Sequence, residues 1–145
     1  MREILFRGKT EISERWVVGD LLQWSDGEMC ICENRNHFEK DKYRVIPETV
    51  GQYTGLTDNN GNKIFEGDIF ECYVDYDDSF GYSQTSSFLA VVVWDEKHFC
   101  YGMKVDDEIQ DFSDWYWESS FLVGNVTDNP ELLKGELENG NPIWK

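Results

Sequence analysis

The sequence is short of positive charge: its 145 residues hold 13 Lys and Arg against 29 Asp and Glu, a formal net charge of −16. Such a surface repels phosphate backbones and anionic lipid, which excludes generic nucleic-acid and membrane-surface binding. Long apolar runs are missing as well. The start, MREILFRGK, has no run of signal-peptide length, and no later stretch approaches a membrane span; the expectation is a cytoplasmic protein with no membrane partner. The 12 glycines are scattered, with no P-loop and no Gly-x-Gly-x-x-Gly. The two histidines, His37 and His98, sit in no nucleophile motif. Cysteine is limited to Cys30, Cys32, Cys72 and Cys100. Without a secretory cue these read as reduced, small apolar residues. Cys30 and Cys32, two apart on one strand, are poorly placed for a disulfide.

What remains is enough to build a core. The chain is 40% hydrophobic and contains 6 Trp, 7 Tyr and 9 Phe but only 3 Pro. A domain of about 150 residues buries roughly 68–70% of the surface its unfolded chain exposes, without help from disulfides or metal. Length allows one domain, or two small ones sharing a core.

The charge is unevenly placed. Residues 1–64 hold 9 basic and 11 acidic side chains, and residues 65–145 hold 4 and 18. In the second part the acids cluster at Asp75, Asp77 and Asp78, at Asp106, Asp107 and Glu108, and at Asp111 and Asp114. Two readings are open: solvated loops that keep the protein soluble, or a negative surface presented to a basic partner.

The apolar pattern speaks in strands. Nine short β-branched or aromatic segments are separated by turn residues: 4–6, 16–18, 21–22, 29–32, 43–46, 69–74, 88–94, 99–101 and 121–123. They predict an antiparallel all-β fold. Asn60-Gly61 predicts a tight type I′ turn, and residues 95–98 a second hairpin. Residues 88–94 are apolar without alternation, so both faces of that strand must be covered and the strand should be central. Gly67-Asp68 before a strand, then a loop, a Val-rich strand and a short turn suit a bent, SH3-like barrel or roll. A shared cadence between residues 16–22 and 64–70 hints at two related β subdomains. The corresponding division is residues 1–50, 51–128, and a short helix with tail at 129–145. Asn129 as N-cap, Pro130, Glu131 and Gly135 punctuate that helix. Residues 111–120, with Ser113 as a possible cap, fit helix or strand equally.

Chemical sites find little support. Cys30-Ile31-Cys32 and His98-Phe99-Cys100, with Cys72, offer zinc ligand types, but on apolar strands and without knuckle spacing. The run from Asp75 begins like an EF-hand loop, yet its Gly81 falls at position seven and Ser86 stands where a bidentate Glu is required. No catalytic residue, metal or cofactor is assigned.

Three motifs carry a resemblance over nearly the whole chain. The segment PETVGQYTGLTDNNGNKIFEGDI at 47–69 resembles the hallmark of the YopX family of phage and prophage proteins. MREILFR at 1–7 and VGNVTDNPELL at 123–133 are similar to that family's two ends, in the same order. The resemblance implies a small, mostly β protein of SH3-type roll, made in a bacterial host, with no catalytic set to carry over. In the hallmark, Gly51, Gly55, Gly61 and Gly67 read as backbone turns, Tyr53 and Phe65 as core, and Asp68 as a hydrogen-bonding corner residue.

The function expected is that of a non-catalytic protein-binding module. Its candidate partner-binding residues are Asp75, Asp77, Asp78, Asp106, Asp107, Glu108, Trp115 and Trp117, and its partner is a host or phage protein. The aromatics outside the clearest strands, Trp24, Tyr76, Tyr82, Trp115, Tyr116, Trp117 and Trp144, serve either such contacts or a second small core. The alternatives are an acidic counter-defence protein, mimicking DNA or blocking a host nucleic-acid enzyme, and a small-molecule-binding protein. Exposed strand edges also make a homo-oligomer an open option.

Overall fold

The computed structural model describes residues 1–134 and, beyond them, the backbone of two short paired strands, Leu137–Glu138 and Asn141–Pro142. Trp144 and Gly135 lie outside the described residues. The fold is all-β with one short helix, and the chain divides into two compact units: Met1–Leu56 with Lys63–Phe65, and Thr57–Asn62 with Glu66–Lys145.

The first unit holds β1 (Phe6–Lys9), β2 (Trp16–Gln23), β3 (Met29–Cys32), β4 (Lys42–Val45), β5 (Gly51–Thr57) and β6 (Lys63–Phe65). They form one antiparallel sheet in the order β4-β3-β2-β1-β5-β6. Successive side chains of a strand point to opposite faces, and β2 uses both. Val17 joins Ile31 and Val45 in one buried cluster, while Val18 packs against Leu5, Tyr53 and Phe65 in another. Tyr53 and Phe65 fill core positions as predicted, their ring centroids 5.7 Å apart. Gly19 is held by close approach: a Cβ there would lie 2.0 Å from the Cys32 carbonyl oxygen.

The second unit holds β7 (Asp68–Asp77), β8 (Ser83–Asp95), β9 (Cys100–Val105), β10 (Glu108–Asp111), β11 (Ser120–Asn125) and α1 (Pro130–Lys134). Its sheet runs β10-β9-β8-β7-β11, which makes β8 the central strand. Both faces of its apolar run are covered. On one side Trp115 meets Phe88 and Trp117 meets Phe70 edge to face, with centroids 5.9 and 5.8 Å apart. On the other, Ile69, Val91 and Leu133 form a cluster on which Leu89, Val93 and Leu132 pack. Among the described residues no helix is long and apolar enough to cross a membrane.

Several expectations need correction. The SH3-like barrel is not confirmed, because neither sheet closes in its strand order; in the first, the chain leaving β1 reaches β4 only through the single bridge Thr10↔Val45, flanked by Ile46 N–H donating to the Lys9 carbonyl and Glu11 N–H to the Arg44 carbonyl. The shared cadence of 16–22 and 64–70 is not a structural repeat, because the first lies in the single strand β2 whereas the second bends at Gly67, with φ at +89°, between β6 and β7. Gly51 makes no turn; it sits in β5 opposite Arg7. The Asn60-Gly61 turn is not type I′, since of that pair only Gly61 takes positive φ, at 82°. The loop is a five-residue turn in which Gly61 N–H donates to the Asp58 carbonyl and Asp58 N–H to the Asn62 carbonyl. The loop expected between the Gly67-Asp68 strand and the Val-rich strand is short: β7 runs on to Asp77, β8 starts at Ser83, and only residues 78–82 turn. Of residues 111–120 only the ends, Asp111 and Ser120, belong to strands; between them lie two 3-10 turns, Phe112–Asp114 and Trp117–Ser119, with Asp111 rather than Ser113 as the cap. Asn129 has a further role beside the start of α1: its Oδ1 accepts the Asn125 N–H at 3.2 Å, closing the turn after β11.

Burial on both faces of the second sheet yields a contrast. Phe70, fully buried, should cost about 3–5 kcal/mol on truncation to Ala, whereas Tyr76→Ala, on an exposed part of β7, should stay within about 0.5 kcal/mol. Urea unfolding of the two variants checks this.

Candidate functional site

The feature of the second unit that projects beyond its sheet is the β7–β8 hairpin. β11 pairs with β7 only from Asp68 to Cys72, and β9 with β8 only from Val91 to Asp95. The five pairs from Tyr73↔Ser87 to Asp77↔Ser83 therefore form a two-stranded ribbon, about 17 Å long at the usual rise per residue. A lone hairpin is marginal in water, and this one is held by its own polar side chains. Thr85 Oγ1 donates to Asp75 Oδ1 at 2.6 Å and Ser83 Oγ to Asp77 Oδ1 at 3.1 Å. At the tip Asp78 Oδ1 accepts the N–H groups of Phe80 and Tyr82, at 2.9 and 3.0 Å. The backbone amides of Tyr82 and Phe80 hold the Asp78 carboxyl below its ordinary pKa. Gly81, with φ at +81°, completes the same five-residue turn as residues 58–62.

The predicted acidic residues fall in two places. Asp75, Asp77 and Asp78 lie on the ribbon and its tip. Asp106 and Asp107 make the β9–β10 turn, with Asp106 in the left-handed region at φ +52°, and Glu108 opens β10. None of the six takes part in a salt bridge among the described residues.

The two units differ sharply in charge. The first carries 9 basic and 10 acidic residues, the second 4 and 19. In the first, cations sit beside acids: Arg15–Glu33 at 2.9 Å, Arg35–Asp20 at 2.8 Å, Lys42–Glu39 at 2.7 Å, Arg44–Glu28 at 3.1 Å and Lys63–Glu3 at 2.9 Å. Hydrogen bonds from His37 and Arg35 hold the Asp20 carboxyl below its ordinary pKa.

The tryptophans do not join the acids. Trp115 is a core residue, 5% exposed, and Trp117 is half-buried with its Nε1–H donated to the Phe112 carbonyl at 3.1 Å. For Trp115 the second-core alternative holds, because the crossing segment lays the indole on Phe88. Its Nε1–H is buried without an acceptor among the described residues. The exposed aromatics that lie beside the ribbon's acids are instead Tyr76, Phe80 and Tyr82, at 52%, 86% and 70%. Sequence reading missed Phe80, whose signal is the Asp78-x-x-Gly81 turn around it.

Asp95, His98, Cys100, Ile109 and Asp111 line a small cavity of about 200 Å³. His98 Nδ1 lies 2.6 Å from Asp95 Oδ2, and that hydrogen bond is the main reason the Asp95 carboxyl lies below its ordinary pKa. The same Asp95 accepts the N–H groups of Lys97 and His98, so the pair shapes the hairpin turn. No three His, Cys, Asp or Glu side chains are grouped to hold a metal among the described residues. All four cysteines are free, and burial pushes the Cys30 thiol up.

Fold and surface thus define a two-unit, all-β protein with an acidic, ribbon-bearing second sheet. The sequence profile described as YopX protein matches residues 5–134, and the chain belongs to the YopX family. It is similar in fold to protein EF1440 from Enterococcus faecalis, known from its crystal structure. That likeness has a TM-score of 0.51 and 20% sequence identity, and covers 92% of this chain and 99% of that one. No curated protein matches.

The Asp78 turn sets a pH expectation. A carboxyl whose folded pKa is lowered stabilises its structure above the unfolded value, about 3.9, and loses that contribution as pH falls through the folded value. The Phe80 and Tyr82 amide resonances should titrate with a midpoint below 3.9 and lose the transition in Asp78→Asn. A midpoint at or above the ordinary value contradicts the cap.

Proposed function

We propose that this protein is a non-catalytic binding module of phage or prophage origin, acting in the host cytoplasm, whose second unit engages a protein with a basic surface. The charge segregation carries the reading. The first unit's acids and cations nearly cancel and are paired side by side, while the second sets 19 acids against 4 cations. A field of that sign speeds encounter with a positive surface and repels nucleic acid itself. Among the described residues no cation pairs with the six carboxylates at the ribbon and the β9–β10 turn, which leaves them open to a partner's Lys and Arg. A partner that ordinarily holds DNA fits the same field, and DNA competition separates it from other basic proteins.

Affinity capture from a lysate of infected host, at low and at physiological salt, tests the proposal. The expected result is a partner retained at low salt and weakened at high salt. It should be lost from a variant with Asp75, Asp77, Asp78, Asp106 and Asp107 changed to Asn and Glu108 to Gln. Retention of that partner by the neutralised variant refutes the acidic surface as the contact; displacement of the partner by added DNA identifies a nucleic-acid-binding protein.

A further inference from the structure

The ribbon has two edges, and they are unlike. Along β7 the edge carries Asp75 and Asp77, and charge on an edge strand blocks the addition of another strand. Along β8 residues 83–87 read Ser-Gln-Thr-Ser-Ser, without charge or proline and exposed throughout. β9 leaves this edge at Val91↔Lys104 and turns back at Asp106 and Asp107, so among the described residues the backbone of 83–88 pairs only with β7. An unprotected edge of this length is a template for one more strand.

The surroundings of the edge state what that strand must be. At its inner end stand Asp106 and Asp107, in the turn that follows Val105, and Glu108, the first residue of β10. At its outer end stands Asp78. Register places Asp75 and Asp77 on one face of the ribbon with Thr85 and Ser83, to which they are hydrogen-bonded. The other face carries Gln84 and Ser86 and leads to Phe88, against which Tyr116 packs at 6.4 Å, itself half exposed. A strand laid along β8 therefore meets carboxylates on one face and, at its inner end, aromatic rings on the other.

We propose that the open edge of β8 over residues 83–88 takes an extended segment of the partner protein, with basic and apolar residues alternating, as an added strand. The inference rests on the basic-partner reading above and names its contact. Main-chain pairing supplies affinity, and the alternation supplies selectivity. A second copy of this chain is the weaker occupant, because each copy brings a net charge of −16.

Amide exchange followed by NMR on the full chain tests this, with a short capped peptide of alternating lysine and valine as the probe. The control is the same peptide N-methylated at alternate residues, made in both phases, which keeps the charge and removes the pairing N–H groups. The expected result is exchange slowed by about tenfold or more in residues 83–88, with the methylated peptides binding about tenfold more weakly. Changing Asp106 and Asp107 to Asn and Glu108 to Gln, all outside the core, should weaken the unmodified peptide. Equal binding of methylated and unmodified peptides, protection confined to other residues, or no binding of either peptide overturns the added strand. In each case the lysate capture still decides separately whether the partner is basic. Unchanged affinity in the triple variant also overturns it, since the inner end would then contribute nothing.

Discussion

The second unit depends on the double life of β8. Over residues 88–93 the strand is apolar on both faces, and burying a Phe or Val side chain fully is worth about 1.5–3 kcal/mol. A single strand can collect that only if something covers each face. The chain supplies Trp115 and Trp117 from the segment that crosses between the two edge strands, and Leu132 and Leu133 from α1. Seen this way, the crossing segment and the five-residue helix exist because β8 needs them. The buried Trp115 Nε1–H without an acceptor among the described residues costs about 1–3 kcal/mol, against which the burial of the indole body has to be set. Beyond Phe88 the apolar residues stop. The same strand then has nothing to bury, no neighbour on its β9 side, and only β7 to pair with.

Electrostatics divides the chain along the same line. Ion pairs as exposed as those of the first unit contribute little to stability, about 0–1 kcal/mol each. Their effect is to cancel the field at close range. In the second unit carboxylates are used as hydrogen-bond acceptors instead: Asp78 and Asp111 cap turns, and Asp75 and Asp77 tie the ribbon across its strands. A carboxylate that accepts an N–H or a hydroxyl proton keeps its charge, so architecture and negative potential come from the same groups. Salt at physiological strength screens over about 8 Å, shorter than the ribbon's roughly 17 Å. The tip and the β9–β10 turn then act as separate local potentials, which add together only at low ionic strength.

The strands, the central place of β8 and the helix at Pro130 were legible in the sequence because burial writes a pattern. Residues 88–94 can only be a strand covered on both sides, and the structure covers it with Phe88–Trp115 on one face and Val91–Leu133 on the other. The ribbon was not legible by that route, since its residues bury nothing. Its signal was local chemistry: Asp78 three residues before Gly81 repeats Asp58 before Gly61, and both make the same five-residue turn. The acids of 75–78 drew attention as a charge run, which obscured their place in a hairpin. Closure into a barrel was not readable either, because closure depends on whether edge strands meet, and Gly-Asp corners are equally compatible with open sheets. Of the site, the six acidic positions were visible as composition. The uncharged edge of β8 between them was not, because Ser, Gln and Thr carry no periodic signal and which strand ends first is a property of register.

The proposed added strand also gives a physical reason for the build of the ribbon. A partner strand added to a mobile loop would have to order both sides at once, at about 1–2 kcal/mol of backbone entropy per residue. Here the host side is ordered beforehand by Asp75–Thr85, Asp77–Ser83 and the Asp78 turn, so only the guest loses freedom. Placing the carboxylates on β7 and at the two ends, not on β8 itself, keeps the pairing backbone clear of charge while leaving the potential within a lysine's reach. Had the acids stood at 84 and 86, they would have protected the edge as Asp75 and Asp77 protect the other side. On the proposed reading, a protected and an unprotected edge on one hairpin are what a binding surface requires, whereas a solubilising surface needs charge but has no use for an edge without it.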